Sequence, residues 1–208
     1  MGRLLTVNTF LTLDGVMQAP GGPEEDPDGG FAHGGWSVNY WDETMGQVMD
    51  EAMADPFDLV LGRKTYEIFA AHWPHVDDSA AKALNGATKH VASRTLSSVE
   101  WENSVLIEGD VSERVAALKQ EDGPELQVHG SSNLLQTLIR DHLVDEFRLW
   151  TFPVVVGGGK RLFEDGTIPS GLELVDSKVS TTGVVIGTYR PAGELVTGSF
   201  ALDEPTPQ

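Results

Sequence analysis

Short apolar runs that stop at a glycine or a hydroxyl residue alternate along this chain with segments whose apolar residues recur at helical spacing. Residues 3–11 read as a strand closing on Leu13-Asp14-Gly15, and residues 42–54 as a helix with Met45, Met49 and Met53 packed along one face. The spacing predicts further strands over 57–61, 89–92, 104–107 and 125–129, and helices over 64–71, 110–120 and 131–143. Asp110 followed by Glu113 is the sequence form of a capping box. A long apolar strand over 146–157 comes next, and two alternating runs, 172–180 and 183–191, meet at Thr181-Thr182-Gly183 as a hairpin.

Strands joined through helices pair in parallel, because each helix carries the chain back across one face of the sheet. The expected fold is therefore α/β: a single three-layer domain over residues 1–200, with a mainly parallel sheet, helices on both faces and a C-terminal antiparallel hairpin. Residues 201–208 are expected to form a flexible tail. Fourteen basic against thirty-two acidic residues give a formal charge of −18, which disfavours nucleic acid and anionic membrane as partners. Without cysteine there is no disulfide framework and no thiolate metal site. No apolar run approaches the roughly 20 residues that cross a bilayer, so a soluble, cytoplasmic protein is expected. No metal is expected either: Glu24, Glu25, Asp26 and Asp28 lack the spacing of a calcium loop and read as a solvated acidic turn inside the long loop 18–35.

In such a sheet ligands bind beyond the carboxyl ends of the strands. At one such end Gly62 admits close backbone approach, the following helix opens with free N–H groups suited to phosphate, and Arg63 adds a fixed charge. Gly130-Ser131-Ser132 repeats that arrangement in smaller residues, and Ser93-Arg94-Thr95 offers two hydroxyls and a guanidinium for a second phosphate. Taken singly, each is equally an ordinary solvated turn. Neither GxGxxG nor GxxxxGK[ST] is present, so the common dinucleotide fold and the P-loop are both unsupported.

Five segments, "TLDG", "LGRKTYE", "SRTL", "GSSNLLQTLIRDHLVDEFRL" and "PVVVGGGKRLF", follow one another in an order that resembles the dihydrofolate reductase-like superfamily. Within it the chain is similar, over residues 3–191, to the reductase domain of bifunctional riboflavin-biosynthesis enzymes, the RibD C-terminal type. The resemblance implies an eight-stranded sheet, NADPH as cofactor, and hydride transfer to a small heterocyclic substrate that is pterin-like or 5-amino-6-ribosylaminouracil-like. Carried onto matching positions, it puts Gly62, Arg63, Lys64 and Thr65 on the cofactor phosphates and Gly130, Ser131 and Ser132 on the pyrophosphate. Ser93, Arg94 and Thr95 fall at the adenosine 2′-phosphate, and Arg94 is the reason to expect NADP over NAD.

Asp14, Trp36 and Asp42 are the catalytic candidates; Phe31 and Trp36 offer flat faces to a substrate, and Lys160 and Arg161 a grip for a substrate phosphate. Trp36 lacks the preceding proline of the dihydrofolate reductases, however, Asp42 equally well caps its helix, and Gly130-Ser131 stands where those enzymes carry Gly-Gly. These 208 residues carry no match to the zinc-bearing deaminase half of the bifunctional enzymes, so a stand-alone reductase is expected. Apolar residues of strand 146–157 and of the hairpin suggest a homodimer. A non-catalytic nucleotide-binding protein of the same fold and a broad-specificity reductase are the other readings these residues allow.

Overall fold

The computed structural model of the protein describes residues 2–200, so the tail expected at 201–208 lies outside the described residues. Eight strands form one sheet: β1 (Leu5–Thr12), β2 (Phe57–Gly62), β3 (Lys89–Ala92), β4 (Ser104–Leu106), β5 (Glu125–His129), β6 (Glu146–Phe152), β7 (Ser170–Val179) and β8 (Val185–Glu194). Their order is β4-β3-β2-β5-β1-β6-β8-β7. The first six pair in parallel, and β8 runs antiparallel to both β6 and β7. The α-helices are α1 (Glu43–Ala52), α2 (Arg63–His72), α3 (Ser79–Gly86), α4 (Val111–Gln120) and α5 (Ser132–Arg140).

Period-two alternation in the strands sends side chains to two cores. Leu5, Val7 and Leu11 of β1 pack with Val115 and Leu118 of α4 and with Leu134, Leu135 and Leu138 of α5. On the other face α2 and α3 cover Leu59, Leu61, Tyr66, Leu84 and Trp101, while α1 covers Trp150, Phe152 and Ile186. The methionine stripe divides between them: Met45 and Met49 join the Trp150 cluster, and Met53 joins the Leu61 cluster. Each fully buried side chain of this size stabilises the fold by roughly 1.5–3 kcal/mol before entropy is charged against it.

Helix α3 has no counterpart among the expected elements. Asp78 caps it, accepting the Ala81 N–H at 2.7 Å, and its buried residues are Ala81 and Leu84. A face of one alanine and one leucine is too faint for periodicity to register. The apolar strand β6 lies inside the sheet between β1 and β8, so of the two surfaces expected to pair subunits only β7 is an edge.

Candidate active site

Helices α1, α3 and α4 begin at Asp42, Asp78 and Asp110, whose carboxylates accept first-turn N–H groups. Helices α2 and α5 do not. Neither has a side-chain cap or an acidic residue in its first turn. These two positive helix ends meet: the Gly62 N–H donates to Ser131 Oγ at 2.9 Å, and the Ser131 hydroxyl donates to Thr65 Oγ1, also at 2.9 Å. The Thr65 hydroxyl keeps its own proton to give elsewhere. Gly130 and Ser131 are both left-handed, with φ of 63° and 70°, so the chain turns sharply between β5 and the first N–H groups of α5. For Ser131 that conformation costs about 1 kcal/mol or more, offset here by its two hydrogen bonds. A side chain at Gly62 would press on Ser131, its Cβ falling 3.3 Å from both Ser131 Cβ and Oγ.

Ala92 is the register partner of Gly62, so the end of β3 adjoins this junction of helix ends. Ser93 Oγ accepts the N–H groups of Thr95 and Leu96 at 3.1 and 2.9 Å and fixes the turn that presents Arg94. Arg94 is exposed and makes no hydrogen bond or ion pair among the described residues. Arg63 is exposed as well, yet its guanidinium is paired with Glu67 at 3.0 Å.

The loop from β1 to α1 closes the neighbouring side. Gln18 is its hub: its amide donates to the Asp26 and Asp28 carbonyls at 2.9 and 3.0 Å, its Oε1 accepts the Lys160 N–H at 3.0 Å, and its carbonyl accepts Trp36 Nε1 at 2.8 Å. The acidic residues expected to be solvated instead hold the loop down. Lys160 Nζ lies 2.6 Å from Asp26 and 3.0 Å from Asp28, and Lys64 Nζ reaches Asp28 at 3.1 Å. Hydrogen bonds from Lys160 and then Lys64 pull the Asp28 pKa to about 2. Burial works against the charge of Lys160, but Asp26 and Asp28 outweigh it and its pKa is raised. Beside this cluster lies a cleft of about 540 Å³ lined by Phe31, His33, Val156, Gly159, Lys160 and Glu164, among others. Gly159 is required there, since a Cβ would fall 2.7 Å from Val16 Cγ1 and 3.0 Å from the Phe31 ring.

The three catalytic candidates all have holding roles in the structure. Asp14 accepts the Thr12 hydroxyl at 2.6 Å and the Val156 and Gly157 N–H groups at 3.3 and 2.8 Å. The Thr12 bond above all, against a modest opposing effect of burial, lowers its pKa and keeps it a carboxylate. Asp42 is likewise lowered, chiefly by the Thr181 hydroxyl at 2.6 Å, and ties α1 to the β7–β8 turn while capping the helix. Trp36 packs edge-on against Phe152 at 5.3 Å, inside the Trp150 cluster. Arg161 donates to the carbonyls of Asp14 and Gly157. Among the expected substrate residues, then, the structure brings Phe31 and Lys160 to the cleft.

Sequence reasoning passes over Gln18 and His129. The Gln127 amide donates to the Ala52 carbonyl at 3.2 Å, which turns its Oε1 toward His129 Nε2 at 2.8 Å and fixes the proton on Nε2. Burial, then the charge of Arg148, push the His129 pKa down to about 4. Its position next to Gly130 was the available signal. Among the described residues no helix is long and apolar enough to cross a membrane, and no three His, Asp or Glu side chains are grouped to hold a metal ion.

A family model described as the RibD C-terminal domain matches residues 3–186. Uncharacterized protein YyaP of Bacillus subtilis (strain 168) is 29% identical over 197 residues, spanning 90% of this chain and 94% of its own length. Among solved structures, a diaminohydroxyphosphoribosylaminopyrimidine deaminase/5-amino-6-(5-phosphoribosylamino)uracil reductase from Thermotoga maritima superposes with a TM-score of 0.60 at 15% identity, covering 92% of this chain and 57% of that one. Dihydrofolate reductase from Enterococcus faecalis, complexed with NADP(H) and RAB-propyl, gives a TM-score of 0.58 at 17% identity over 91% of this chain and 96% of that one.

Proposed function

Because this chain belongs to the RibD C-terminal domain family, we propose that it is an NADPH-dependent reductase that passes hydride to a small, flat heterocycle. The observation that carries the reading is the junction of two uncapped helix N-termini through Ser131 Oγ, in a molecule whose other three α-helices are each capped by an aspartate. Free N–H groups from Thr65 and from the Gly130–Ser132 turn suit a pyrophosphate, with the Thr65 hydroxyl as a further donor. One strand over, Ser93, Arg94 and Thr95 form a place for a 2′-phosphate. The neighbour from Enterococcus faecalis, which shares the fold, is complexed with NADP(H).

When bound, NADPH supplies the hydride; the substrate's electrophilic carbon accepts it and the adjoining heteroatom takes a proton. The residues of this chain position and dehydrate. Gly159 lets the Phe31 ring close on the cleft wall, and the Gln18 hub with its lysine–aspartate cluster keeps the loop over the site. Asp14 and Asp42 stay ionised, so neither is the proton donor, and Asp14 keeps the turn after β1 fastened to the loop at Val156.

Titration of the purified chain with NADPH and NADH, read by tryptophan fluorescence, tests the cofactor; failure of both to bind at millimolar concentration sinks it. Oxidation of NADPH dependent on a pterin or an aminouracil tests the reaction. We also assign the edge strand β7, which exposes Leu172, Leu174, Val175 and Val179, as the pairing surface of a homodimer.

A further inference from the structure

The cleft wall carries one lysine, Lys160, and its charge, like that of Lys64 just behind the lining, is already paired. Lys160 is shared between Asp26 and Asp28, and Lys64 takes the second oxygen of Asp28. The Asp26 carboxylate is not free to swing away, being only 7% exposed, while Asp28 is half exposed and is held at its backbone, where the Gln18 amide grips the carbonyls of both aspartates. Glu164 lines the same cleft and makes no ion pair among the described residues. The adjoining hollow of about 320 Å³ is lined by Gly159, Arg161, Glu164 and Asp165, and Arg161 donates to the carbonyls of Asp14 and Gly157.

Building on the reductase reading, we propose that the cleft takes a substrate without a phosphate, neutral or cationic, because Asp26 and Asp28 occupy the lysines that a phosphate would need. At Lys160 a dianionic group would have to displace the buried carboxylate of Asp26 and then sit beside Glu164, both unfavourable. An uncharged ring has neither obstacle and gains the faces of Phe31 and Val156. The chain is thereby set apart from a reductase of 5-amino-6-(5-phosphoribosylamino)uracil, and its charge of −18 acts in the same direction.

Ribose 5-phosphate is the probe, titrated calorimetrically into the full chain saturated with NADP⁺ so that the cofactor's own phosphate positions are filled. The wild type is expected to show no saturable binding at millimolar concentration, whereas Asp26→Asn/Asp28→Asn frees both lysines and gains at least about tenfold in affinity. Glu164→Lys, on an exposed residue, is expected to gain in the same direction and serves if the double variant unfolds. Saturable wild-type binding that Lys160→Ala abolishes overturns the proposal, and so does the absence of a gain in both variants. If NADP⁺ itself fails to bind, the cofactor reading falls, and the same titration on the unliganded chain with the Lys160→Ala control still decides whether the aspartates exclude phosphate. In turnover, 5-amino-6-ribosylaminouracil should exceed its 5′-phosphate in kcat/KM by about tenfold or more; the reverse order also overturns the proposal.

Discussion

Replacing Arg94 with alanine should separate the two nicotinamide cofactors. Of the fourteen basic side chains, all but Arg94 hold a carboxylate or a backbone carbonyl among the described residues. A free guanidinium therefore meets a 2′-phosphate without first giving up a partner. A hydrogen bond to a charged group contributes about 1.5–3 kcal/mol, and the exposure of Arg94 favours the lower half of that range. At about 1.4 kcal/mol per decade, loss of the contact raises the Kd for NADPH by roughly 10- to 40-fold. NADH, which lacks the phosphate, should change by less than about twofold. The net charge of −18 complicates a single titration, since it repels the more anionic NADPH at low salt. The ratio of the two affinities, measured by fluorescence quenching in wild type and variant at matched ionic strength, removes most of that background. An equal loss for both cofactors, or an unchanged ratio, would refute the assignment of Arg94 to the 2′-phosphate.

Ser131→Ala removes the clip between the two helix ends and leaves the Gly62 N–H without its partner, so urea denaturation should show a loss of about 1–2 kcal/mol. Unlike Arg94→Ala it should weaken NADPH and NADH alike, and retained affinity in the folded variant would count against the cradle. For His129 the folded pKa of about 4 lies below the unfolded value of about 6.5, so unfolding takes up a proton between them. Its contribution is intact above pH 6.5 and is lost as pH falls toward 4, by up to about 3 kcal/mol; most carboxylate effects begin lower, near pH 4. Urea midpoints from pH 7.5 to 5 should fall in the wild type and fall less steeply in His129→Gln, where His90, its pKa also lowered by burial, keeps part of the slope; parallel curves would remove His129 from the account. Light scattering should give twice the 22.5 kDa chain mass, with Leu174→Lys/Val179→Lys returning the monomer; a monomeric wild type ends the dimer proposal.

The sheet was legible because its signals are local. Phe57–Gly62 is a short leucine-rich run ending at a glycine, Lys89–Ala92 is a short run stopped by Ser93, and Asp110 with Glu113 announces α4 within four positions. Where the local signal is weak the reading fails, as at α3, and where placement depends on strand order it misleads. The apolar content of β6 looks like an exposed interface until β8 is found hydrogen-bonded along it.

The site is legible to a different depth. A sequence shows that Arg63, Lys64, Arg94, Lys160 and Arg161 stand near strand ends, but not which of them are neutralised, because the partners lie at any separation. Glu67 is four residues from Arg63, within reach of a helical pattern, whereas Asp26 is 134 residues from Lys160. Five apparent anion grips therefore reduce to one unpaired guanidinium, Arg94, together with backbone N–H groups at two helix ends. Backbone donors have no charge for a carboxylate to pair with, and here neither helix has a capping side chain to occupy them. On a chain with more than twice as many acidic as basic residues, that gives a phosphate site built from glycine and serine a physical advantage over one built from lysine: it remains open to the ligand.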